Sequence, residues 1–223
     1  MLCTYVRYDA LMNNEPADNA SDPAKIAQAG QHLRAGKAVA FPTDTVAGLG
    51  VAVRFAASPQ VLYDIKGRDA NKPIAWLVGS VDDLLVYGSD VPDYAIELAR
   101  DFWPGALTLV VGASAQVPPA FRSPGATVGL RMPDHPIALA LLADVGCPLA
   151  TTSANPSGVA APGASHDIDP AVRAAAACVL EGGANATGEA STVIDCTGGE
   201  ARFLREGDLT KDYLLDRGYT LHS

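Results

Sequence analysis

The sequence is short of positive charge. Its 223 residues include 16 lysines and arginines against 25 aspartates and glutamates, which gives a formal net charge of −9 at pH 7. Because the field of such a molecule repels phosphate groups, broad and non-specific adhesion to nucleic acid or to anionic lipid is disfavoured. Any site for a phosphate-bearing ligand must therefore be local, built from a few cations that the fold brings together.

Cysteines are few and scattered. The four of them, Cys3, Cys147, Cys178 and Cys196, form no C-x-x-C pair and have no histidine at ligand spacing. This pattern argues against a zinc module and against a disulfide framework, so no metal-binding residues are identified. We expect reduced thiols, most of them in the core of a cytoplasmic protein.

Long apolar stretches are also missing. Hydrophobic residues make up 48% of the chain, yet no uninterrupted run approaches the roughly 18 residues of a membrane span. The first residues lack a basic segment followed by an apolar one, so neither export nor membrane insertion is expected. The length suits one α/β domain, with the polar and acidic residues 9–22 as an irregular lead-in.

Helix and strand patterns alternate along the rest of the chain, which predicts mixed α/β layers. Ser21 or Asp22 can cap a first helix that has Pro23 in its first turn and ends at Gly36. Further helices are predicted after Ser58, near 81–87 and 92–101, over 135–146, and from 165 to 182. Strands are predicted at 38–41, 74–78, 107–111, 126–132, 148–152, 191–195 and 202–207.

Polar and glycine-rich residues lie where several of these strands meet loops. They occur in FPTDTVAGLG (41–50), IKGR (65–68), VGLRMP (128–133) and TTSANPSG (151–158), and in ASTVID (190–195) with FLREG (203–207). Strand ends are where α/β folds usually form ligand sites. We therefore expect these segments to converge on one pocket.

Each segment alone admits two interpretations. Lys66 and Arg68, separated by a helix-breaking glycine, can cradle a polyphosphate, or they can be cations that offset a helix dipole. The hydroxyls and amide of TTSANPSG can donate to phosphate or ribose oxygens, or they can satisfy the backbone of an ordinary turn. Asp44 can hold magnesium through water or be a turn residue, and we favour the turn. The sequence contains no Walker A loop, dinucleotide fingerprint or Gly-x-Ser-x-Gly elbow, and no candidate for nucleophilic catalysis.

Taken together, in their order and spacing, the segments resemble a known family. Residues 24–210 are similar to the YrdC/TsaC family of L-threonylcarbamoyl-AMP synthases through FPTDTVAGLG, IKGRDANKPIAWLV, FWPGALTLVV, VGLRMPDHP, TTSANPSGVAAP, ASTVID and FLREG. The resemblance implies one YrdC-like domain over 1–223, as in short members, with 1–22 as lead-in and 211–223 as a C-terminal tail. It implies an α/β fold of the α+β type, in which helices flank a twisted mixed sheet with a concave ligand-binding face.

The activity that the resemblance implies is that of a nucleotidyltransferase. L-threonine, bicarbonate or CO2, and ATP give threonylcarbamoyl-AMP and pyrophosphate, with Mg2+ bound through the phosphates of ATP. The product supplies the threonylcarbamoyl group for the adenosine beside the anticodon of certain tRNAs. The implied partners are the proteins of the tRNA threonylcarbamoyl-transfer machinery, and a weak direct contact with tRNA stays open.

The resemblance also assigns roles to individual residues, and two of these, Lys66 and Arg68, are the expected catalytic cations. The nucleotide set is Lys66, Arg68, Ser153, Asn155 and Arg205, and the threonine set is Thr43, Arg131, Thr152 and Ser191.

The chain departs from the family pattern in its first and third segments. Ala47 stands where members have tyrosine, and Leu77 lies near the position of a histidine that binds threonine in some members. Trp76 or Tyr63 is a candidate to replace the missing aromatic wall. These changes leave the choice of amino acid more open than the nucleotide site.

Two other classes of function remain as alternatives. A non-catalytic RNA-binding module is disfavoured by the net charge of −9 and by the lack of a basic stripe with interleaved aromatics. A domain related to carbamoyltransferases is disfavoured because those proteins are much larger and carry cysteine-rich zinc modules. Pyrophosphate release that depends on both ATP and threonine separates the first alternative from the enzyme, and consumption of carbamoyl phosphate without threonine identifies the second.

Overall fold

The protein is described by a computed structural model, which covers residues 22–70, 72–182 and 186–222. The expected lead-in lies outside these residues, apart from Asp22. The helices are α1 Pro23–Arg34, α2 Gln60–Lys66, α3 Asp83–Tyr87, α4 Asp93–Phe102, α5 Pro136–Val145, α6 Pro170–Ala175 and α7 Lys211–Asp216. The strands are β1 Val39–Phe41, β2 Gly48–Ala52, β3 Ala75–Leu77, β4 Gly88–Ser89, β5 Leu107–Ala113, β6 Thr127–Arg131, β7 Leu149–Ser153, β8 Cys178–Val179, β9 Thr192–Asp195, β10 Ala201–Arg205 and β11 Leu221–His222.

The strands form one mixed sheet in the order β11-β10-β9-β5-β6-β3-β7-β2-β1-β8, with β4 paired to β5 outside this path. Neighbours β3 and β6, β5 and β9, β1 and β8, and β10 and β11 run parallel, and the other pairs run antiparallel. This confirms the predicted α/β class with a mixed sheet. Among the described residues, no helix has both the length and the apolar character needed to cross a bilayer.

The two faces of the sheet have different coverage, because successive side chains of a strand point to opposite faces. Trp76, Leu109 and Leu130 belong to the larger core cluster on one face. On the other face, Leu77 and Leu149 pack in a smaller cluster with α1 and α5. Further along these strands, the residues that point to the same face as Leu77 and Leu149 are not covered by α1 and α5. These residues form the floor of a cavity.

The first helix forms for the reasons that the sequence indicates. The Asp22 carboxylate accepts a hydrogen bond from the Ala24 amide at 2.9 Å, Pro23 occupies the first turn, and the chain leaves the helix through Gly36 at a φ of 72°. A left-handed residue after a helix favours glycine, which lacks the Cβ that would be strained there. The same device ends α5 at Gly146, where φ is 69°.

The helix predicted from 165 to 182 is much shorter in the structure. It begins with the Asp169 cap and ends at Ala175, and Cys178–Val179 form a strand parallel to β1. The alanine run favours helix locally. Tertiary contacts override this preference, because Ala177 and Leu180 donate backbone hydrogen bonds to β1 and its flank and Leu180 is buried in the smaller cluster.

Two other parts of the chain also differ from expectation. No strand was predicted over residues 48–52, which include the glycines of the segment 41–50, but these residues form β2, between β1 and β7. Gly48 and Gly50 suit this strand because a Cβ at either position would lie within 3.1 Å of the Thr151 side chain and within 3.5 Å of the Phe41 ring. The expected tail beyond residue 210 contains α7 and β11, and β11 extends the sheet by pairing with β10.

Candidate functional site

A cavity of about 770 Å3 lies on the concave face of the sheet, within the size range of small-molecule sites. Its floor consists of small side chains from neighbouring strands: Ala75 pairs with both Gly129 and Thr151, and Gly129 pairs with Val110. Seven of the nine residues expected at the site line this cavity: Thr43, Arg68, Arg131, Thr152, Ser153, Ser191 and Arg205.

Arg68 reaches the cavity because α2 ends immediately before it. Gly67 adopts a left-handed conformation at a φ of 57° and turns the chain. The Arg68 guanidinium then donates to Thr152 Oγ1 at 2.9 Å and to the Pro73 carbonyl at 3.2 Å. Its buried Nε has no hydrogen-bond partner among the described residues. The guanidinium is thus held at the cavity wall with donor capacity left over.

Lys66 and Asn155 lie behind the cavity wall. The Lys66 ammonium is buried and donates to the Ser153 carbonyl at 2.5 Å, to the Asn155 carbonyl at 2.5 Å and to Asn155 Oδ1 at 3.0 Å. Asn155 in turn donates from Nδ2 to the carbonyls of Pro156 at 3.1 Å and Val159 at 2.5 Å. Together the two side chains fix the shape of the 153–159 loop. Burial, and to a smaller extent the charge of Arg68, lower the pKa of Lys66 to about 8.

Arg131 extends from the end of β6 and is almost completely enclosed. Its Nη2 donates to Asp44 Oδ1 at 2.5 Å, its Nη1 to Thr45 Oγ1 at 2.8 Å and its Nε to the Gly105 carbonyl at 2.9 Å. Since a guanidinium has five N–H groups, one N–H on each terminal nitrogen remains available. Such a pair is the usual means of binding a carboxylate in a bidentate manner. Asp44 is thus the ion-pair partner of Arg131, a role that neither sequence interpretation included.

Thr43 shapes the loop that carries Asp44. Its hydroxyl donates to the Val46 carbonyl at 2.7 Å and accepts from the Thr45 amide at 3.2 Å. Its oxygen also lies 3.1 Å from the Thr45 hydroxyl oxygen, which receives a hydrogen bond from Arg131. Thr43 therefore both lines the cavity and supports the anchor of Arg131.

Ser191 and Arg205 meet at the β9 and β10 side of the cavity. The Ser191 hydroxyl is hydrogen-bonded to the Thr108 hydroxyl at 2.9 Å. Arg205 donates to the Ser191 carbonyl from Nε at 3.1 Å and from Nη2 at 2.6 Å. The pKa of Arg205 is lowered by burial first, and then by the charges of Arg131 and Arg68. Three guanidinium groups therefore share one cavity in a protein of net charge −9, which makes the site locally cationic.

A β-bulge adds an apolar residue to the same wall. The register between β9 and β10 shifts between Phe203 and Arg205, so Leu204 is the extra residue of β10. Leu204 and Arg205 consequently both line the cavity although they are consecutive in the chain. Bulges commonly redirect side chains in this way beside functional sites.

Sequence reasoning missed other residues that line the cavity, among them Thr45, Thr108, Asp195 and Leu204. Thr45 and Asp195 lie inside segments that the resemblance had marked, so the segments were the available signal. Thr108 is hidden in the apolar run LTLVV, and a bulge at Leu204 has no sequence signature of its own.

The candidates for an aromatic wall do not reach the cavity. Trp76 points into the opposite core, where its ring packs edge-on against Tyr87 and Phe121. Tyr63 is buried and donates its hydroxyl hydrogen to the Lys72 carbonyl. Ala47 is fully buried, whereas Leu77 contributes an apolar part of the cavity lining.

The fold and the cavity define an α/β protein with a cationic ligand site on the concave face of a mixed sheet. The chain belongs to the Sua5/YciO/YrdC family, whose description is "Telomere recombination", and the match covers residues 31–207.

Two curated relatives carry the name threonylcarbamoyl-AMP synthase. The protein of Bacillus subtilis is 36% identical over 211 residues, which is 92% of this chain and 58% of the relative. The protein of Pyrococcus abyssi is 39% identical over 185 residues, or 83% of this chain and 54% of the relative. This chain thus spans little more than half the length of these two relatives.

A solved structure shares the fold. The crystal structure of Pyrococcus abyssi Sua5 complexed with L-threonine matches with a TM-score of 0.82 and 36% identity, over 90% of this chain and 60% of that chain. The expectations of a YrdC-like fold and of membership in this family are confirmed.

Proposed function

We propose that this protein is an L-threonylcarbamoyl-AMP synthase, which joins L-threonine, bicarbonate or CO2, and ATP and releases pyrophosphate. The observation that carries the proposal is the convergence of Arg68, Arg131 and Arg205 on one cavity beside short hydroxyl side chains. The names of the two relatives and the L-threonine in the Sua5 complex support the same activity.

Arg131 is the proposed anchor for the threonine carboxylate. The two N–H groups that its protein partners leave free match the two oxygens of a carboxylate. Ser191, Thr43 and Thr152 line the same cavity as Arg131. Hydroxyls of this size can bind the amino and hydroxyl groups of threonine without filling the space that the amino acid needs.

Arg68, Arg205 and Ser153 are the proposed ligands of the ATP phosphates. Lys66 and Asn155 act from behind, because they fix the loop that presents Ser153. Among the described residues, no group of three or more histidine, cysteine, aspartate or glutamate side chains could hold a metal ion. We therefore expect Mg2+ to bind through the phosphate oxygens of ATP, where it neutralises charge on the leaving pyrophosphate.

The chemistry follows from this placement. The neutral threonine amine attacks the carbon of CO2 and releases a proton to give a carbamate. With bicarbonate the same C–N bond forms while a C–O bond breaks, and the hydroxide that leaves takes up the amine proton as water. A carbamate oxygen then attacks the α-phosphorus of ATP, and the bond from that phosphorus to the bridging oxygen breaks to release pyrophosphate. Such a transfer needs positioning and charge neutralisation and no covalent nucleophile on the protein. In this nucleotidyltransferase reaction, we propose that Arg68 stabilises the charge that develops on pyrophosphate from the cavity wall, and that the charge of Lys66 adds to this at longer range from behind the wall.

The product, a mixed anhydride, reacts readily with water, so it must pass quickly to an acceptor enzyme. We propose that the partners are proteins of the tRNA threonylcarbamoyl-transfer machinery in the cytoplasm. A weak direct contact with tRNA remains part of the proposal, although the net charge of −9 gives it no general electrostatic support.

Product analysis by mass spectrometry with ATP, threonine and 13C-labelled bicarbonate tests the proposal. We expect a threonylcarbamoyl-AMP ion that carries one labelled carbon, and we expect Arg68→Ala to lose most of it. RNA binding without any product would favour the RNA-binding alternative. Consumption of carbamoyl phosphate that is indifferent to threonine would favour the carbamoyltransferase alternative.

A further inference from the structure

Asp195 is the one carboxylate among the described residues that line the cavity. It lies at the end of β9, opposite Val110 of β5, and its side chain is 12% exposed. The three arginines make the rest of the lining cationic, so this carboxylate marks one end of the cavity as different from the others.

The hydrogen bonds of Asp195 leave one acceptor position. Its Oδ1 accepts from the Thr197 amide at 2.9 Å and from the Thr197 hydroxyl at 2.7 Å, and its Oδ2 accepts from Arg202 Nη2 at 2.8 Å. A carboxylate has about four acceptor positions. Oδ1 is therefore fully used, and one position on Oδ2 remains for a ligand.

The charge state of Asp195 supports an acceptor role. Burial pushes its pKa upward, but hydrogen bonds from Thr197 and Arg202, together with the Arg202 charge, bring the pKa below its usual range. The group is an ionised carboxylate at neutral pH and can accept hydrogen bonds but cannot donate them.

This carboxylate sets the direction in which a nucleotide can lie. Phosphate groups are repelled by Asp195 and attracted by Arg68 and Arg205, so the triphosphate is expected to extend toward these arginines. The uncharged nucleoside then lies toward Asp195, where Val110, Val193 and Leu204 supply apolar surface for a flat ring. The nucleoside carries neutral N–H and O–H donors, and a hydrogen bond from such a donor to an ionised carboxylate is charge-assisted.

We propose that Asp195 is a specificity-determining residue that accepts one hydrogen bond from the nucleoside half of ATP, either from the exocyclic amine of adenine or from a ribose hydroxyl. The inference rests on the proposed function, since it assumes that ATP is the nucleotide. It also predicts selection against guanine. The neighbouring N1–H and N2–H donors of guanine pair best with both oxygens of a carboxylate, and Thr197 already occupies Oδ1.

The experiment is a calorimetric comparison of ATP with three analogues: purine riboside triphosphate, which lacks the amine, and the 2′-deoxy and 3′-deoxy forms of ATP. In the wild type we expect one analogue to bind about tenfold more weakly than ATP, which corresponds to about 1.4 kcal/mol. In Asp195→Ala we expect that difference to fall below about twofold, because the acceptor is gone. Asp195→Asn, which keeps the shape of the side chain, covers the case in which the alanine variant does not fold, and there we expect the difference to be at least halved.

Arg202→Gln is the matched control, since it removes the exposed partner of Asp195 but keeps the carboxylate in the cavity. It should retain the full analogue difference. If the Asp195 variants lose the affinity difference between ATP and the deaminated analogue, the hydrogen bond comes from the base. If they lose the difference between ATP and a deoxy analogue, it comes from the ribose. Equal analogue differences in the wild type and both Asp195 variants would overturn the inference while leaving the proposed function intact. A wild type that binds no ATP at all would overturn the proposed function, and this inference with it.

Discussion

Asp44 Oδ1 lies 2.5 Å from Nη2 of Arg131, and the two side chains are 13% and 7% exposed. Separating the partners of a buried ion pair leaves uncompensated charge, so the paired arrangement is strongly favoured. The three hydrogen bonds that Arg131 makes to the protein leave two of its N–H groups free and fix the direction in which they point. An arginine fixed in this way is a preorganised ligand for a carboxylate.

Arg131→Lys tests the role of these two N–H groups. Lysine keeps the positive charge but has only three N–H groups, so it cannot bind a ligand carboxylate in a bidentate manner while it also serves Asp44 and Thr45. We expect the KM for threonine to rise about tenfold or more, equivalent to about 1.4 kcal/mol, with the KM for ATP within about threefold of the wild type. Steady-state kinetics with each substrate varied separately gives both values. A raised KM for ATP with an unchanged KM for threonine would place Arg131 in the nucleotide site instead.

A comparison of Lys66→Met with Arg68→Ala should distinguish a residue that supports the loop from a residue that contacts the ligand. Lys66→Met leaves the Ser153 and Asn155 carbonyls without their buried donor, so we expect a loss of about 1–3 kcal/mol in the free energy of unfolding. Arg68→Ala removes a group at the cavity wall and should leave the unfolding midpoint nearly unchanged. Both should lower turnover by tenfold or more, about 1.4 kcal/mol in the activation barrier.

Thermal unfolding and pyrophosphate release measure the two effects in the same preparations. Lys25→Met, on the exposed side of α1, is the control for loss of a lysine. Wild-type stability and turnover in Lys66→Met would contradict the role that its three hydrogen bonds indicate.

The pKa of Lys66 predicts a pH dependence of ATP binding. Burial and the Arg68 charge lower this pKa to about 8 in the free protein, and the negative phosphates of ATP favour the ammonium form and raise it again. Above about pH 8, binding therefore takes up a proton, and the Kd for ATP rises with pH by up to about tenfold per unit. Below roughly pH 7, Lys66 is protonated in both states and this contribution disappears.

Calorimetric titration in two buffers of different ionisation enthalpy measures the proton uptake directly. The wild type should take up about half a proton near pH 8 and close to one proton about one pH unit higher, and Lys66→Met should remove that component. An affinity that stays flat through this range in the wild type argues that Lys66 does not sense the phosphates.

Gly129 leaves space for a ligand above the floor of the cavity because it has no side chain. A Cβ at this position would meet Thr108 Cγ2 at 3.4 Å and Val110 Cγ2 at 3.8 Å, which are ordinary contacts, so the protein itself does not require glycine. Gly129→Val should fold with an unfolding midpoint close to that of the wild type but lose most of its turnover, because its methyl groups occupy ligand space. Gly199→Ala, in an open turn, is the control. Full activity in Gly129→Val would show that the substrates do not lie over this strand.

The sequence predicts the segments of the site better than the contacts within it. The polar segments at 41–50, 65–68, 128–133 and 151–158 do converge, as their positions at strand ends indicate. Which residues of one segment hydrogen-bond to residues of another is not visible in the sequence. Whether Lys66 faces a ligand or the Ser153 carbonyl depends on how the loop folds over α2, which is a tertiary contact.

Local propensity also gives the wrong secondary structure where pairing within the sheet determines it. Gly48 and Gly50 favour a loop locally, yet they lie in a strand that pairs with β1 and β7. Glycine suits these positions because Phe41 and Thr151 leave no room for side chains. The alanines before Cys178 favour helix, but the edge of β1 provides hydrogen bonds that the next residues complete as a strand. In both cases a partner distant in the sequence determines the local structure.

The most direct test of the central claim is pyrophosphate release from ATP by the wild-type protein, measured with and without L-threonine in bicarbonate buffer. If one cationic cavity brings the nucleotide and the amino acid together, release should need both, and omission of threonine should reduce it to background. Release at the same rate without threonine, or no release with all substrates present, would contradict the account.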